Sequence, residues 1–189
     1  MPKKIDEVKL FEAVISDWMR HGYAGSTTRE IASIAGINEA TLFRRYGSKA
    51  GLFARAVDQQ LAETPLAKIE TTDDLLEDLS ALAHAYIATF EAHGDVIFRT
   101  LQEAPRHPEV KDAVANLLRN IQKMIRLMSF HQQQGHLRAE HPMLTLTSFI
   151  GPIATYLMFK QAGLRNDIPP FNIDDHLELF LSGRGTAER

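Results

Sequence analysis

The sequence predicts an all-α protein made of an N-terminal three-helix head with a helix-turn-helix, joined by a fourth helix to a longer helical body. Three observations predict it. Apolar residues recur at three- and four-residue spacing along nearly the whole chain, and no segment alternates apolar and polar residues long enough to need a strand. Near the start, "TTREIASIAGINEATLFRRYGSKAGLF" (residues 27–53) holds two short helical patterns separated by a single glycine turn. The charge is also uneven: the net −3 divides into +2 over residues 1–60 and −5 over the remainder, a mildly basic head on an acidic body.

The elements follow in order. Leu10, Phe11, Val14, Ile15 and Trp18 share one face of a helix expected from about Ile5 to Arg20, ending before Gly22. Thr28 is a candidate cap for a short helix Arg29–Ala35, with Ile31 and Ile34 facing inward and Ala32 small enough for a close crossing. Gly36 supplies the turn, and Asn38 caps the next helix, Glu39–Tyr46, which buries Leu42. Ser48 caps a helix through about Ala62, with Pro65 beyond its end. A long helix starts near Thr72 or Asp73, with Leu75, Leu76, Leu79, Leu82, Ala83, Tyr86, Ile87 and Phe90 on its buried side, and is expected to close at Gly94. A shorter piece runs from Asp95 to about Ala104. Val110, Val114, Leu117, Ile121, Met124 and Met128 mark what should be the longest helix, about Pro108 to Gln134. "HPMLTLTSFIGPIATYLMFKQAGL" and "IDDHLELFL" supply the last two.

Composition narrows the function classes. At 189 residues and 44% hydrophobic, the chain can bury a sizeable core. With zero cysteines it has neither a disulfide framework nor a thiolate metal site. The start "MPKKIDEVKL" lacks the apolar run of a signal peptide, so a cytoplasmic location is expected. The uncharged run Pro142–Phe159 approaches the roughly 20 residues of a membrane span. Its hydroxyl residues and the internal Gly151-Pro152 favour a buried helix of a soluble protein instead.

The short pair has a physical use. Two helices joined by about three residues including Gly form a helix-turn-helix, and the second fits a DNA major groove. Helices this short depend on packing, which Leu10, Val14 and Trp18 before them and Leu52 and Phe53 after them can provide. Arg44 and Arg45 can reach guanine edges in fork geometry or pair with phosphates, and Lys49 lies near a helix start whose free N–H groups favour phosphate.

At these residues the chain resembles the TetR family of bacterial transcriptional repressors, from about Val8 to Phe53. The ordered set is a Gly-aromatic pair, a Thr-led second helix, "IA..AG", a recognition helix with "TL" and an aromatic, and "SK" before a fourth helix. The resemblance implies domains at 1–47 (DNA-binding) and 48–189 (ligand-binding and dimerisation, with 48–62 as connecting helix). It implies phosphate contacts from Thr28, Tyr46 and Lys49, and base or groove contacts from Glu39, Ala40, Thr41, Phe43, Arg44 and Arg45. Phe43 stands where the family usually has Tyr, Arg45 where His is common, Ala40 where Gly is frequent, and Ala50-Gly51 where a Glu-containing pair is common. Those departures leave the class of function intact and the sequence preference open.

One reading helix covers only a few base pairs, so a homodimer on a pseudo-palindromic operator is expected. Leu146, Phe149, Ile150, Ile153, Tyr156, Leu157, Leu177 and Phe180, on the last two helices, are the candidate interface, the pair that the resemblance implies. The resemblance also implies a cavity for a small, mostly apolar or aromatic effector. Tyr86, Phe90, Phe98, Met124, Met128 and Phe149 are candidate lining, with His84, Gln102 and His131 as polar hooks. No cofactor, metal or membrane partner is expected. An enzyme would need a signature that is missing: there is no H-E-x-x-H, paired E-x-x-H, phosphate loop or G-x-S-x-G. The remaining alternative is a helix-turn-helix module used for protein contacts, which predicts no salt-dependent DNA binding.

Overall fold

The computed structural model describes residues 5–164 and 168–185. Among these residues there are eight α-helices: α1 (Glu7–Gly25), α2 (Thr28–Ala35), α3 (Glu39–Tyr46), α4 (Lys49–Ala62), α5 (Leu75–Glu103), α6 (Lys111–Gln133), α7 (Pro142–Gln161) and α8 (Ile173–Arg184). Two 3₁₀ turns, Pro65–Lys68 and Pro108–Val110, complete the order. The all-α expectation holds, and the described residues contain no strand beyond one isolated bridge between Leu137 and Gly185.

The chain divides into two compact units. One ends at Glu63 and takes in His93–Leu118; the other comprises Thr64–Ala92 and the chain from Arg119 onward. The expected domains at 1–47 and 48–189 divide the chain by role, whereas compactness keeps α4 with the head. α5 and α6 each begin in one unit and end in the other.

In the first unit, α1 packs on α2 and α4, α2 on α3, and α3 on α4. Leu10, Val14, Trp18, Ile31, Leu42, Leu52 and Phe53 are all buried. Trp18 and Tyr23 both meet Phe53 edge-on with centroids 5.3 Å apart, an arrangement that aligns positive ring edges with negative faces. The four helices start alike. Asp6, Thr27, Asn38 and Ser48 are extended residues whose side chains accept backbone N–H groups from Lys9, Glu30, Ala40 and Gly51.

Several expectations are corrected. The cap of α2 is Thr27, not Thr28, which is the first helical residue. Ile34 points outward and is 56% exposed, because the short α2 has room for only one inward turn, taken by Ile31 and Ala32. α1 continues past Gly22 after a break at that residue (φ 70°). α5 does not stop at Gly94: Val96 and Ile97 continue its buried face, and this packing outweighs the roughly 1 kcal/mol that a mid-helix Gly costs. At 29 residues α5 is therefore longer than α6, which starts only after the 3₁₀ turn Pro108–Val110. Leu76 is 55% exposed, off the buried face it was assigned to.

The second unit has one core. Leu79, Leu82 and Tyr86 from α5, Met124, Leu127 and Met128 from α6, Phe149 and Ile153 from α7, and Leu177 and Phe180 from α8 meet there. A buried polar network sits among them. His131 Nε2 lies 2.7 Å from Asp78 Oδ2, and Thr72 donates its backbone N–H and its hydroxyl to the same carboxylate. α7 is long and apolar enough to cross a membrane by length and composition, yet its inner face is built into this core.

Candidate nucleic-acid interface

The turn between α2 and α3 is Gly36, Ile37 and Asn38. Gly36 adopts φ 66°, ψ 34°, and its N–H reaches back to Ala32 and Ser33, closing α2 in the left-handed conformation that only Gly adopts without cost. Asn38 Oδ1 then accepts from Ala40 N at 2.8 Å and opens α3. Leu42 is the inward anchor of α3, and Ala40, Phe43, Arg44 and Arg45 lie exposed along it. Phe43 is 47% exposed, an apolar side chain suited to a thymine methyl. A concavity of about 950 Å³ beside the helix is lined by Lys9, Ile37, Asn38, Thr41, Arg44 and Arg45 among others.

At the far end of α3 the chain reverses into α4 through Gly47 and Ser48. A Cβ at Gly51 would collide with the Tyr46 carbonyl oxygen, so the missing side chain lets the first turn of α4 sit against the end of α3. Gly51, the second residue of the Ala50-Gly51 pair, thus has a steric reason.

The predicted contact residues are brought to one side of the head, but most are already engaged. Among the charged ones Arg44 is the exception: it is exposed and has no partner among the described residues. Thr28 donates its hydroxyl to Glu39 Oε1 at 2.6 Å, tying the start of α2 to the start of α3. Arg45 Nη2 donates to Glu7 Oε1 at 2.7 Å, and Tyr46 OH donates to the same oxygen at 3.1 Å. The Tyr46 ring meets Phe11 edge-on, and burial followed by the Glu7 hydrogen bond raises its hydroxyl pKa. Lys49 donates to the Tyr23 carbonyl and sits 4.4 Å from the Tyr23 ring centroid. Burial lowers its pKa, against the opposing pull of the Asp17 and Glu109 charges. The partners Glu7 and Tyr23 were missed by sequence reading. Contacts between residues this far apart in the chain leave no trace in local periodicity.

One group could hold a metal ion among the described residues. Asp17, His21 and Glu30 each place a possible ligand atom within 4.8 Å of the others. Asp17 is buried, its Oδ1 lies 2.8 Å from His21 Nδ1, and its Oδ2 has no hydrogen-bond partner. Two of the three groups are exposed and the third already has an imidazole partner, so these residues form a polar seam between α1 and α2.

In the second unit, Tyr86, Met124, Met128 and Phe149 come together in the core, with Phe90 stacked on Tyr86 at 4.3 Å. Burial pushes the Tyr86 hydroxyl up to about 12. His131 is fully buried and committed to Asp78 and to His136 Nδ1 at 3.1 Å. Phe98 and Gln102 belong to the other unit and are not part of this core. A cavity of about 810 Å³ lies elsewhere, between α7, α8 and residues 168–172, and none of the expected effector residues lines it. Of the expected dimer residues, Leu146, Phe149, Ile150, Ile153, Leu157, Leu177 and Phe180 are buried in the protomer's own core; Tyr156 is half-buried against Phe171. The apolar residues that α7 and α8 leave exposed are Met143, Leu144, Met158, Phe159 and Leu179.

Comparison with known proteins agrees with this head. Residues 18–56 match the model of bacterial regulatory proteins of the tetR family. The chain is 25% identical over 117 residues to the uncharacterized HTH-type transcriptional regulator YvkB of Bacillus subtilis, covering 62% of each chain. It is 29% identical over 69 residues to the HTH-type transcriptional repressor SCO4008 of Streptomyces coelicolor, covering 36% of each. These matches thus span less than two thirds of either relative. The flavonoid-responsive regulator FrrA shares the fold at a TM-score of 0.73 and 18% identity, over 95% of this chain and 96% of that one. In its head the chain is thus similar to the tetR family of bacterial regulatory proteins, and in its fold to a solved regulator, FrrA.

Proposed function

We propose that the protein is a transcriptional regulator that binds a pseudo-palindromic DNA operator as a homodimer in the cytoplasm and represses transcription until a small effector releases it. The observation that carries this reading is Arg44, exposed and unengaged on a helix that two caps and a left-handed Gly turn hold out from the head. Arg44, with Ala40, Thr41, Phe43 and Arg45, would face base edges. Thr28, Tyr46 and Lys49 would meet phosphates after exchanging their present partners, and Glu39, released by Thr28, would face the groove. The name of SCO4008 supports repression as the mode of action.

For the dimer, the exposed apolar residues of α7 and α8 are the natural surface, with Leu179 at 73% exposure the most prominent. The effector reading rests on the body. Its core of Tyr86, Phe90, Met124, Met128 and Phe149 is aromatic and thioether-rich, a chemistry that repacks around apolar ligands, and a flavonoid-responsive protein shares the fold. α5 and α6 run from that core into the unit containing the head, so a ligand that favours one arrangement of these helices can bias the other end.

Genome-wide mapping of bound DNA tests the reading. The expected result is a few discrete sites containing a two-fold repeat, lost in Arg44→Ala/Arg45→Ala/Lys49→Ala. Uniform, unenriched recovery from the intact protein would contradict it.

A further inference from the structure

Glu7 lies in the first turn of α1, remote in sequence from the reading helix, yet one of its carboxylate oxygens holds two residues of α3. Oε1 accepts from Arg45 Nη2 at 2.7 Å and from Tyr46 OH at 3.1 Å. The Glu7 carboxylate sits at a helix start, where free backbone N–H groups favour a negative charge. As a stability element an ion pair this exposed, with side chains 48% and 44% accessible, contributes little. Its consequence is for the donors it occupies.

A guanidinium has five N–H groups in a rigid fork. With one Nη2–H on Glu7, Arg45 keeps its Nε–H, the other Nη2–H and both Nη1–H, enough for a bidentate approach to guanine O6 and N7. Its charge, however, is offset by the carboxylate, which also repels an incoming phosphate. Tyr46 is affected more completely. Its single O–H points at Glu7, and a phosphate offers only acceptors, so the hydroxyl cannot serve the DNA backbone while that bond is made.

We propose that Glu7 is a specificity-determining positioning residue: it fixes the Arg45 fork for base reading and withholds Arg45 charge and the Tyr46 hydroxyl from sequence-independent phosphate binding. The inference rests on the reading of Arg45 as a DNA contact. Backbone contacts supply non-specific affinity and base contacts supply discrimination, so a carboxylate placed here lowers the first and sharpens the second.

The test uses the full chain, the DNA sequence it selects from a random pool, and a scrambled duplex of equal length, with affinity measured against salt. Glu7→Ala is expected to raise affinity for the scrambled duplex about threefold or more and to steepen the salt dependence by about 0.9 for each phosphate gained. The ratio of selected to scrambled affinity should fall. Glu7→Gln keeps an acceptor for the Arg45 N–H but not the charge, so it should steepen the salt dependence while retaining more of the discrimination than Glu7→Ala.

Circular dichroism melting of each variant establishes that it is folded. A folded Glu7→Ala with unchanged salt slope and unchanged ratio overturns the proposal. So does a parallel loss on both duplexes, the mark of a purely structural role. Arg45→Ala separates this from the reading beneath it: if that substitution alters selected binding while Glu7→Ala is silent, only the role of Glu7 fails. If Arg45→Ala changes neither duplex, Arg45 is not a DNA contact and both readings fall.

Discussion

The head and the body are built from the same element and stabilised in different ways. Each head helix is marked by its own side-chain cap, and α2 and α3 are only 8 residues long, too short to be stable without their neighbours. The body relies on long helices, of which α5 has 29 residues and α6 has 23, held by a shared core with a buried carboxylate and imidazole inside it. Caps therefore mark where the short head helices begin while a core around Trp18 and Phe53 holds them, and the body relies on long helices around a core of its own.

The comparison can be broken first at the two cores. Phe149, at the centre of the body core, and Trp18, at the centre of the head core, are both fully buried. Alanine at either should cost about 3 to 5 kcal/mol. Under the division into two compact units, Trp18→Ala should abolish DNA binding and leave the body's melting transition close to its original position, whereas Phe149→Ala should lower the body's transition. Calorimetry of both variants checks this. A single shared transition that moves equally in both would mean that the units unfold as one. Phe149 also shows why an expected dimer residue has to be tested with care: a charge placed there would disrupt the protomer before any interface.

A smaller effect distinguishes the cap-dependent head. Asn38→Ala removes the acceptor for Ala40 N at the start of α3 and should cost about 1 kcal/mol. Because α3 is so short, the loss should appear as weaker operator binding as well as a lower head melting point. Asn172→Ala removes the equivalent acceptor for Asp174 and Asp175 at the start of α8, with a similar stability cost but no change in the protomer's base preference. Binding titrations and melts of the two variants check the contrast.

The same contrast explains what the sequence made legible. Caps, glycine turns and three- to four-residue apolar spacing are local signals; they located α3 and α4 nearly to the residue, and the starts of α7 and α8 better than their ends. Gly94 misled because a glycine can end a helix or sit inside one, and only the continuing burial of Val96 and Ile97 decides. The candidate contact residues of α3 were legible as a set, since their spacing is that of one helix. The present partners were not: Glu7 for Arg45 and Tyr46, and the Tyr23 carbonyl for Lys49, depend on how α1 crosses α3 and α4. In the body, residues expected at a dimer surface proved to be the protomer's core, because apolar content alone does not say which side of an apolar helix is covered.

The most direct test of the central claim, that α3 reads DNA with α4 beside it on the backbone, is the salt dependence of operator binding by the intact chain and by Arg44→Ala. The intact chain should show a linear fall of log affinity with log salt, with a slope of about −0.9 for each phosphate contacted. Arg44→Ala should lose about 1 to 3 kcal/mol of discrimination at one base position per half-site. Binding that is insensitive to salt, or an Arg44→Ala variant with an unaltered base preference at every position, would contradict it.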